Sequence, residues 1–256
     1  MAELNFDQVT VRYGRQTVVN AVDLAVPSGS VVGLVGESGS GKSTLARAAV
    51  GLAPLAGGHI TLDGAELGRG RGSRSRSVQM VFQDPFASLN PRMSIGTTVA
   101  EAVPREHRRS RAGLAEEVSR LLDLVGLDPA RAGSRPGQLS GGQRQRVAIA
   151  RALAVRPAFV IADEITSALD VSVQGAILNL IRGLQADLGL GLLFISHNIS
   201  VVRYVSDSIV VMRGGEVVES GPAQQVLTAA EHPYTRELLA TARESALTER
   251  SAARSS

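Results

Sequence analysis

The residues best able to do chemistry stand together early in the chain, as Gly36-Glu37-Ser38-Gly39-Ser40-Gly41-Lys42-Ser43-Thr44. Their spacing is G-x-x-x-x-G-K-[ST]. Glycines so placed let successive backbone N–H groups turn inward and form a hollow for phosphate oxygens. A helix starting just after the hollow adds the positive end of its dipole. Lys42 can then reach the β- and γ-phosphates, and the Ser43 hydroxyl can ligate Mg²⁺. Of the 27 basic residues, 26 are Arg, and Lys42 is the one Lys. A position that keeps a compact ammonium in so arginine-rich a chain needs a slim cation where a planar guanidinium would not fit. The chemistry implied is binding of a nucleotide through its phosphates.

A second group is acidic. Phe159-Val160-Ile161-Ala162 reads as an apolar strand running into Asp163 and Glu164. Parallel strands of an open α/β sheet end at the ligand crevice, so both carboxylates should emerge beside the phosphate loop. Asp163 would hold Mg²⁺ through water, because that cation keeps much of its hydration shell. Glu164, one residue beyond the strand, could orient and deprotonate an attacking water. Without the loop, the pair would read equally well as ordinary solvated acids. A second glycine-rich turn, Leu139-Ser140-Gly141-Gly142-Gln143, precedes a helical run from Arg144 and could receive another anion. A guanine-specific GTPase would need an N-K-x-D element, which no lysine remains to supply. A small-molecule kinase leaves the second turn unexplained.

These residues need elements to hold them. Ser30-Val31-Val32-Gly33-Leu34-Val35 suits a strand buried on both faces, and 43–50 reads as the helix after the loop. Gln8-Val9-Thr10-Val11-Arg12-Tyr13 alternates like a strand, and further strands are expected at 23–26, 59–64 and 78–82. Helical spacing with Gly and Pro breaks marks 101–103, 114–125 and 143–154. Strand character returns at 159–162, 191–196 and 208–212, followed by a hairpin through Gly214-Gly215 and a polar helical tail from Pro222. The pattern predicts an α/β core over about 1–87 and 156–221, interrupted by a helical insert over about 88–155, with the tail at 222–256.

Composition narrows the class. The chain has 256 residues, 44% hydrophobic and 20% charged, a formal charge of +3 and no cysteine. That length supports one or two domains with a buried core. Lack of Cys excludes disulfides, Cys-ligated zinc, iron–sulfur clusters and thiol catalysis. With 3% aromatic residues, base-stacking platforms are not expected, and nucleic acid is disfavoured as a partner. Met1-Ala2-Glu3-Leu4-Asn5-Phe6-Asp7 is acidic and lacks the regions of a signal peptide, and no apolar run approaches a membrane span. A cytoplasmic protein is expected, reaching any membrane through partners. Arg69, Arg71, Arg74 and Arg76 form one basic cluster and Arg105, Arg108, Arg109 and Arg111 another. Neither is interleaved with aromatics, which favours solvated loops over contact with nucleic acid or headgroups.

With the loop at 36–44 and the LSGGQ turn at 139–143, the chain resembles the nucleotide-binding subunit of an ABC transporter. The resemblance spans about 4–240. It implies a P-loop NTPase (RecA-like) core with an antiparallel β subdomain and an inserted α-helical subdomain, one ABC ATPase domain over 1–240. It assigns ATP binding to the loop, with Tyr13 stacking on adenine, although an edge-strand tyrosine would look the same. It gives Mg²⁺ to Ser43, Gln83 and Asp163, catalysis to Glu164, and γ-phosphate contact to His197; Gln83 also touches the lytic water and links the core to the insert. Ser140, Gly141, Gly142 and Gln143 would complete the ATP site of a second subunit packed head to tail, and Asp170 lies in the loop that crosses to it. Two positions depart from the pattern: Ile165 stands where Pro usually follows the catalytic Glu and fixes φ, so the loop carrying Glu164 could be looser, and Asn198 replaces an Asp, which removes a charge beside His197.

Within the family, Val81-Phe82-Gln83-Asp84-Pro85-Phe86-Ala87-Ser88-Leu89-Asn90-Pro91-Arg92-Met93 and the tail His232-Pro233-Tyr234-Thr235 resemble oligopeptide, dipeptide and nickel importers. The expected partners are a second ATPase subunit (a paralogue or another copy), transmembrane permeases and an extracytoplasmic binding protein, at the cytoplasmic face of a bacterial membrane. The alternative is a soluble ABC ATPase that remodels a nucleic-acid or enzyme complex.

Overall fold

Alternating apolar residues carry the first two strands into an antiparallel ladder in the computed structural model, which describes residues 2–67, 76–84, 88–108 and 110–242. β1 (Glu3–Tyr13) pairs with β2 (Gln16–Pro27), from Glu3↔Pro27 to Tyr13↔Gln16. Gly14, at φ +60°, makes the tight turn between them. Both strands extend well beyond the alternating segments read from sequence. The buried side chains run Leu4, Phe6, then Val9, Val11 on β1, and Val19, then Val22, Leu24, Val26 on β2. The odd step on each strand falls at a register shift, with Gln8 and Ala21 at φ +48° and +47°. Such bulges restore the inward face after breaking the period of two. β4 (Leu55–Leu62) and β5 (Ala65–Glu66) complete this sheet in the order β2-β1-β4-β5.

β3 (Val31–Val35) is buried throughout, as its unbroken apolar run requires. It lies parallel to β8 (Gly191–Ser196) on one side and β9 (Ser208–Arg213) on the other, and β10 (Glu216–Pro222) adds an antiparallel edge. Val35 stands level with Ser196 and with Val211. Whatever follows those three residues therefore leaves from the same edge. That shared edge positions the site: after Val35 the chain enters the glycine loop and then α1 (Lys42–Ala49). The tail forms the short helix Ala223–Thr228 and a helical stretch over 233–242.

The chain divides into two compact units, Met1–Gly68 with Gly191–Ser256, and Arg69–Leu190. The first holds the elements above. In the second, β6 (Val78–Val81) and β7 (Phe159–Asp163) pair in parallel, from Val78↔Phe159 to Val81↔Ala162. Helices accompany them among the described residues, including α2 (Ile95–Ala102), α3 (Arg111–Leu124), α4 (Gly141–Leu153) and α5 (Val171–Leu188). α4 is the hub, packing on α2, α3, α5 and β6. Its Ala148, Ala150 and Ala152 are buried, and these small side chains let its neighbours approach closely. The unit contains the whole of 88–155 together with β6, β7 and α5.

Among the described residues, no helix is long and apolar enough to cross a membrane. Arg69, Arg71, Arg74 and Arg109 of the basic clusters, Pro85, Phe86 and Ala87 of the importer-like stretch, and the tail past residue 242 lie outside the described residues.

Candidate functional site

In the first unit the loop is built around Lys42. The side chain is 4% exposed although it opens a helix. Its ammonium donates to the carbonyl oxygens of Gly36 and Glu37, each at 2.7 Å, and to Ser40 Oγ at 3.3 Å. Gly39 and Gly41 sit at φ +84° and +102°, where a β-carbon is strained, so only glycine takes these turns freely. Gly41 is the N-cap of α1 and makes no side-chain cap hydrogen bond, so the positive end of the helix dipole faces the loop. The loop is braced from outside by the β9–β10 turn, where the Gly215 N–H donates to the Ser40 carbonyl at 3.1 Å. β2 passes close by, since a β-carbon on Gly41 would lie 2.7 Å from the Val18 oxygen.

His197 leaves the same edge as the loop, because it follows Ser196, the partner of Val35. It is exposed, as a residue that must meet a ligand would be. Asn198 caps the helix Ile199–Val205: its side chain accepts the Ser200 N–H at 2.9 Å. Asn and Asp cap helices equally well, so this departure keeps the geometry and drops only the charge. Tyr13 ends β1 opposite Gln16 and is 47% exposed.

Sequence reasoning did not place Tyr234 here. Its phenol oxygen accepts the Glu37 N–H at 2.8 Å, from within the phosphate loop. Burial pushes the hydroxyl above the usual phenol range, so it stays protonated. The only signal in the sequence was the tail motif around it.

The second unit assembles the acids. Asp163 ends β7 buried, and Glu164 follows at φ +48°, a left-handed conformation that is costly for a residue with a β-carbon. Gln83, just past β6, donates through Nε2 to Glu164 Oε2 at 3.2 Å and to Ser167 Oγ at 3.3 Å. The turn holding Glu164 is closed: the Ser167 N–H and hydroxyl both donate to the Glu164 carbonyl, at 3.1 and 2.9 Å. Ile165 is 1% exposed. That side chain is packed into the interior at the position where proline is usual. Because Gln83 presents its nitrogen to Glu164, its amide oxygen is left to accept or to coordinate. That oxygen and the Asp163 carboxylate are hard donors of the kind Mg²⁺ takes.

The LSGGQ turn opens α4 with a reciprocal cap. Ser140 Oγ accepts the Gln143 N–H at 3.3 Å, and Gln143 Oε1 accepts the Ser140 N–H at 3.0 Å. Gly142 is required by space, since a β-carbon there would lie 2.5 Å from Val173 Cγ1 on α5; Gly141 meets Leu169 at 3.3 Å. Ser140 remains exposed at the helix N-terminus, and Asp170, also exposed, precedes α5. The structure thus brings together the loop and the origin of His197 in one unit, and Gln83 with Glu164 in the other. The LSGGQ turn and Asp170 lie at the starts of two packed helices. Two described arginines of the basic clusters are engaged within the chain: Arg76 pairs with Glu106 at 2.9 Å, and Arg108 donates to the carbonyls of Val103 and Glu101.

The chain is similar to known ATP-binding cassettes. A family model described as ABC transporter matches residues 19–167. The oligopeptide transport ATP-binding protein OppF of Bacillus subtilis is 44% identical over 233 residues, covering 88% of this chain and 76% of that one. Among solved structures, cbiO1 from Clostridium perfringens, part of the ABC transporter complex cbiONQ, superposes with a TM-score of 0.80 at 26% identity, over 88% of this chain and 90% of that one. The ATP-binding cassette MJ0796, solved as a dimer in a post-hydrolysis state bound to ADP and Pi, superposes with a TM-score of 0.76 at 28% identity, over 86% and 98%.

Proposed function

This chain belongs to the ABC transporter family of ATP-binding proteins, and we propose that it drives an importer of peptides by binding and hydrolysing ATP between two ATPase subunits. The observation that carries this reading is the enclosure of Lys42 by a loop whose glycines adopt left-handed turns directly before a helix. Peptide is favoured over nickel as cargo because the relative named above is an oligopeptide transport subunit. The same kinship favours transport over a soluble remodelling role.

The residues divide the work. Amides of the loop and Lys42 hold the phosphates and neutralise their charge. Tyr13 stacks on the adenine. Glu164, held by Gln83, accepts a proton from water as its oxygen attacks the γ-phosphorus, and the bond from that phosphorus to the β–γ bridging oxygen breaks to leave ADP and phosphate. His197 contacts the γ-phosphate and makes the site sensitive to its loss. Ser43, Gln83 and Asp163 would hold Mg²⁺, which when bound offsets phosphate charge. Ser140 and the amides of 141–143 close over the ATP of a second subunit, a copy or a paralogue, with Asp170 in the crossing loop. ATP then bridges two subunits and ADP does not, so closure draws on differential contacts to the γ-phosphate. Transmembrane permeases and an extracytoplasmic binding protein complete the assembly, with this chain peripheral at the cytoplasmic face.

The test is reconstitution with the permeases in vesicles. ATP-dependent uptake of labelled oligopeptide, lost in Lys42→Ala, is expected; ATP turnover with no peptide uptake would leave the ATPase and remove the cargo.

A further inference from the structure

The tail segment His232-Pro233-Tyr234-Thr235 has no part in the scheme above, yet it reaches the phosphate loop. The Glu37 N–H donates to Tyr234 Oη at 2.8 Å. The carbonyl of the same peptide unit, that of Gly36, accepts from Lys42 Nζ at 2.7 Å. One peptide plane is thus held at both ends, by the lysine on its oxygen and by the tail on its nitrogen. Because a trans peptide is rigid and planar, fixing its N–H also fixes the direction of its C=O, and with it the seat of the ammonium.

The phenol arrives with little freedom of its own. Tyr234 is 1% exposed, and the Arg213 guanidinium lies 4.7 Å from its ring centroid. Glu219 on β10 accepts the N–H groups of Glu231 at 2.8 Å and His232 at 3.1 Å, which ties down the approach to the motif. His232 Nδ1 in turn accepts the Tyr234 N–H at 3.2 Å. Arg213 follows Met212 of β9, whose carbonyl oxygen lies against Gly36. Tail and β9 therefore both approach this peptide.

We propose that Tyr234 is a positioning residue for ATP: the tail is a strap that holds the Gly36–Glu37 peptide so that Lys42 faces the triphosphate. The proposal rests on the ATP-binding reading above and adds to it a residue far along the chain. It makes the tail motif part of the nucleotide site rather than a terminal ornament.

Tyr234→Phe keeps the ring and its packing and removes only the acceptor. In the full-length chain, calorimetric titration with ATP should show a Kd raised about five- to tenfold, the value of one hydrogen bond. The KM for ATP should rise in step while kcat at saturating ATP changes by less than about twofold, the signature of lost ground-state binding. Glu219→Gln, which loosens the strap one step back, should move Kd the same way by less. Hydrogen exchange on the wild-type chain supplies a reading that survives a variant that will not fold: the Glu37 amide should be protected. Wild-type Kd in folded Tyr234→Phe, a lowered Tm with no change in Kd, or a freely exchanging Glu37 amide each overturns the proposal alone. A wild-type chain that binds no ATP overturns the functional reading and the proposal with it.

Discussion

Replacing Gly36 with Ala adds one methyl group where the loop meets the β9–β10 turn. The new β-carbon would lie 2.1 Å from the Met212 carbonyl oxygen, 2.9 Å from Ser40 Oγ and 3.1 Å from the Met212 carbonyl carbon. Non-bonded heavy atoms prefer about 3.5–4 Å, so the Met212 contact must open by more than about 1 Å. The Ser40 hydroxyl can rotate aside. The Met212 carbonyl cannot, because Met212 is fully buried in β9 and sits opposite Val217 of β10. Gly36 is not among the positive-φ glycines, so the cost is steric, about 1–3 kcal/mol. The loop must yield instead, carrying with it the Gly36 carbonyl that seats Lys42, and ATP affinity should fall at least about tenfold. Gly39→Ala is the control: at φ +84° with nothing within 4 Å of its β-carbon, it should cost only backbone strain, about 1–2 kcal/mol. Gly41→Ala combines φ +102° with the Val18 oxygen at 2.7 Å and should cost more than either. Urea unfolding followed by circular dichroism reads the stabilities, and ATP titration reads the loop. Wild-type stability and affinity in Gly36→Ala would refute the packing of loop against turn.

Other substitutions separate the remaining roles. Glu164→Gln should lower kcat by about 10²–10⁴ with ATP affinity unchanged, as loss of a general base predicts; single-turnover kinetics check it. Lys42→Arg keeps the charge but puts a planar guanidinium between two carbonyls, and calorimetry should show ATP binding weakened about a hundredfold or more. Ser140→Ala removes the acceptor for the Gln143 N–H, so thermal unfolding should report a loss of about 1 kcal/mol. Sedimentation should show weaker ATP-driven association in the same variant, with single-subunit ATP affinity intact.

The phosphate loop, the acidic strand end and the LSGGQ turn were legible in the sequence because each is local: a run of glycines, an apolar strand, a cap. The first strands were read short because bulges at Gln8 and Ala21 break the alternation that marks a strand. α5 went unread, although Ile177, Ile181 and Leu184 have helical spacing and Gly189 at φ +64° ends it. The Gln83–Glu164 hydrogen bond joins residues 81 positions apart, and that of Tyr234 with Glu37 spans 197. No pattern along the chain encodes such pairings; the first follows from the pairing of β6 with β7, and the second from how the tail packs on the loop. The burial of Ile165, at the position where proline is usual, is likewise invisible in the sequence.

The central claim is that the loop around Lys42 is a cradle for a polyphosphate. Calorimetric titration of the purified chain with ATP, ADP and AMP tests it most directly. ATP and ADP should bind and AMP, which lacks a β-phosphate, should not. Equal affinity for all three, or heat from none, would contradict it.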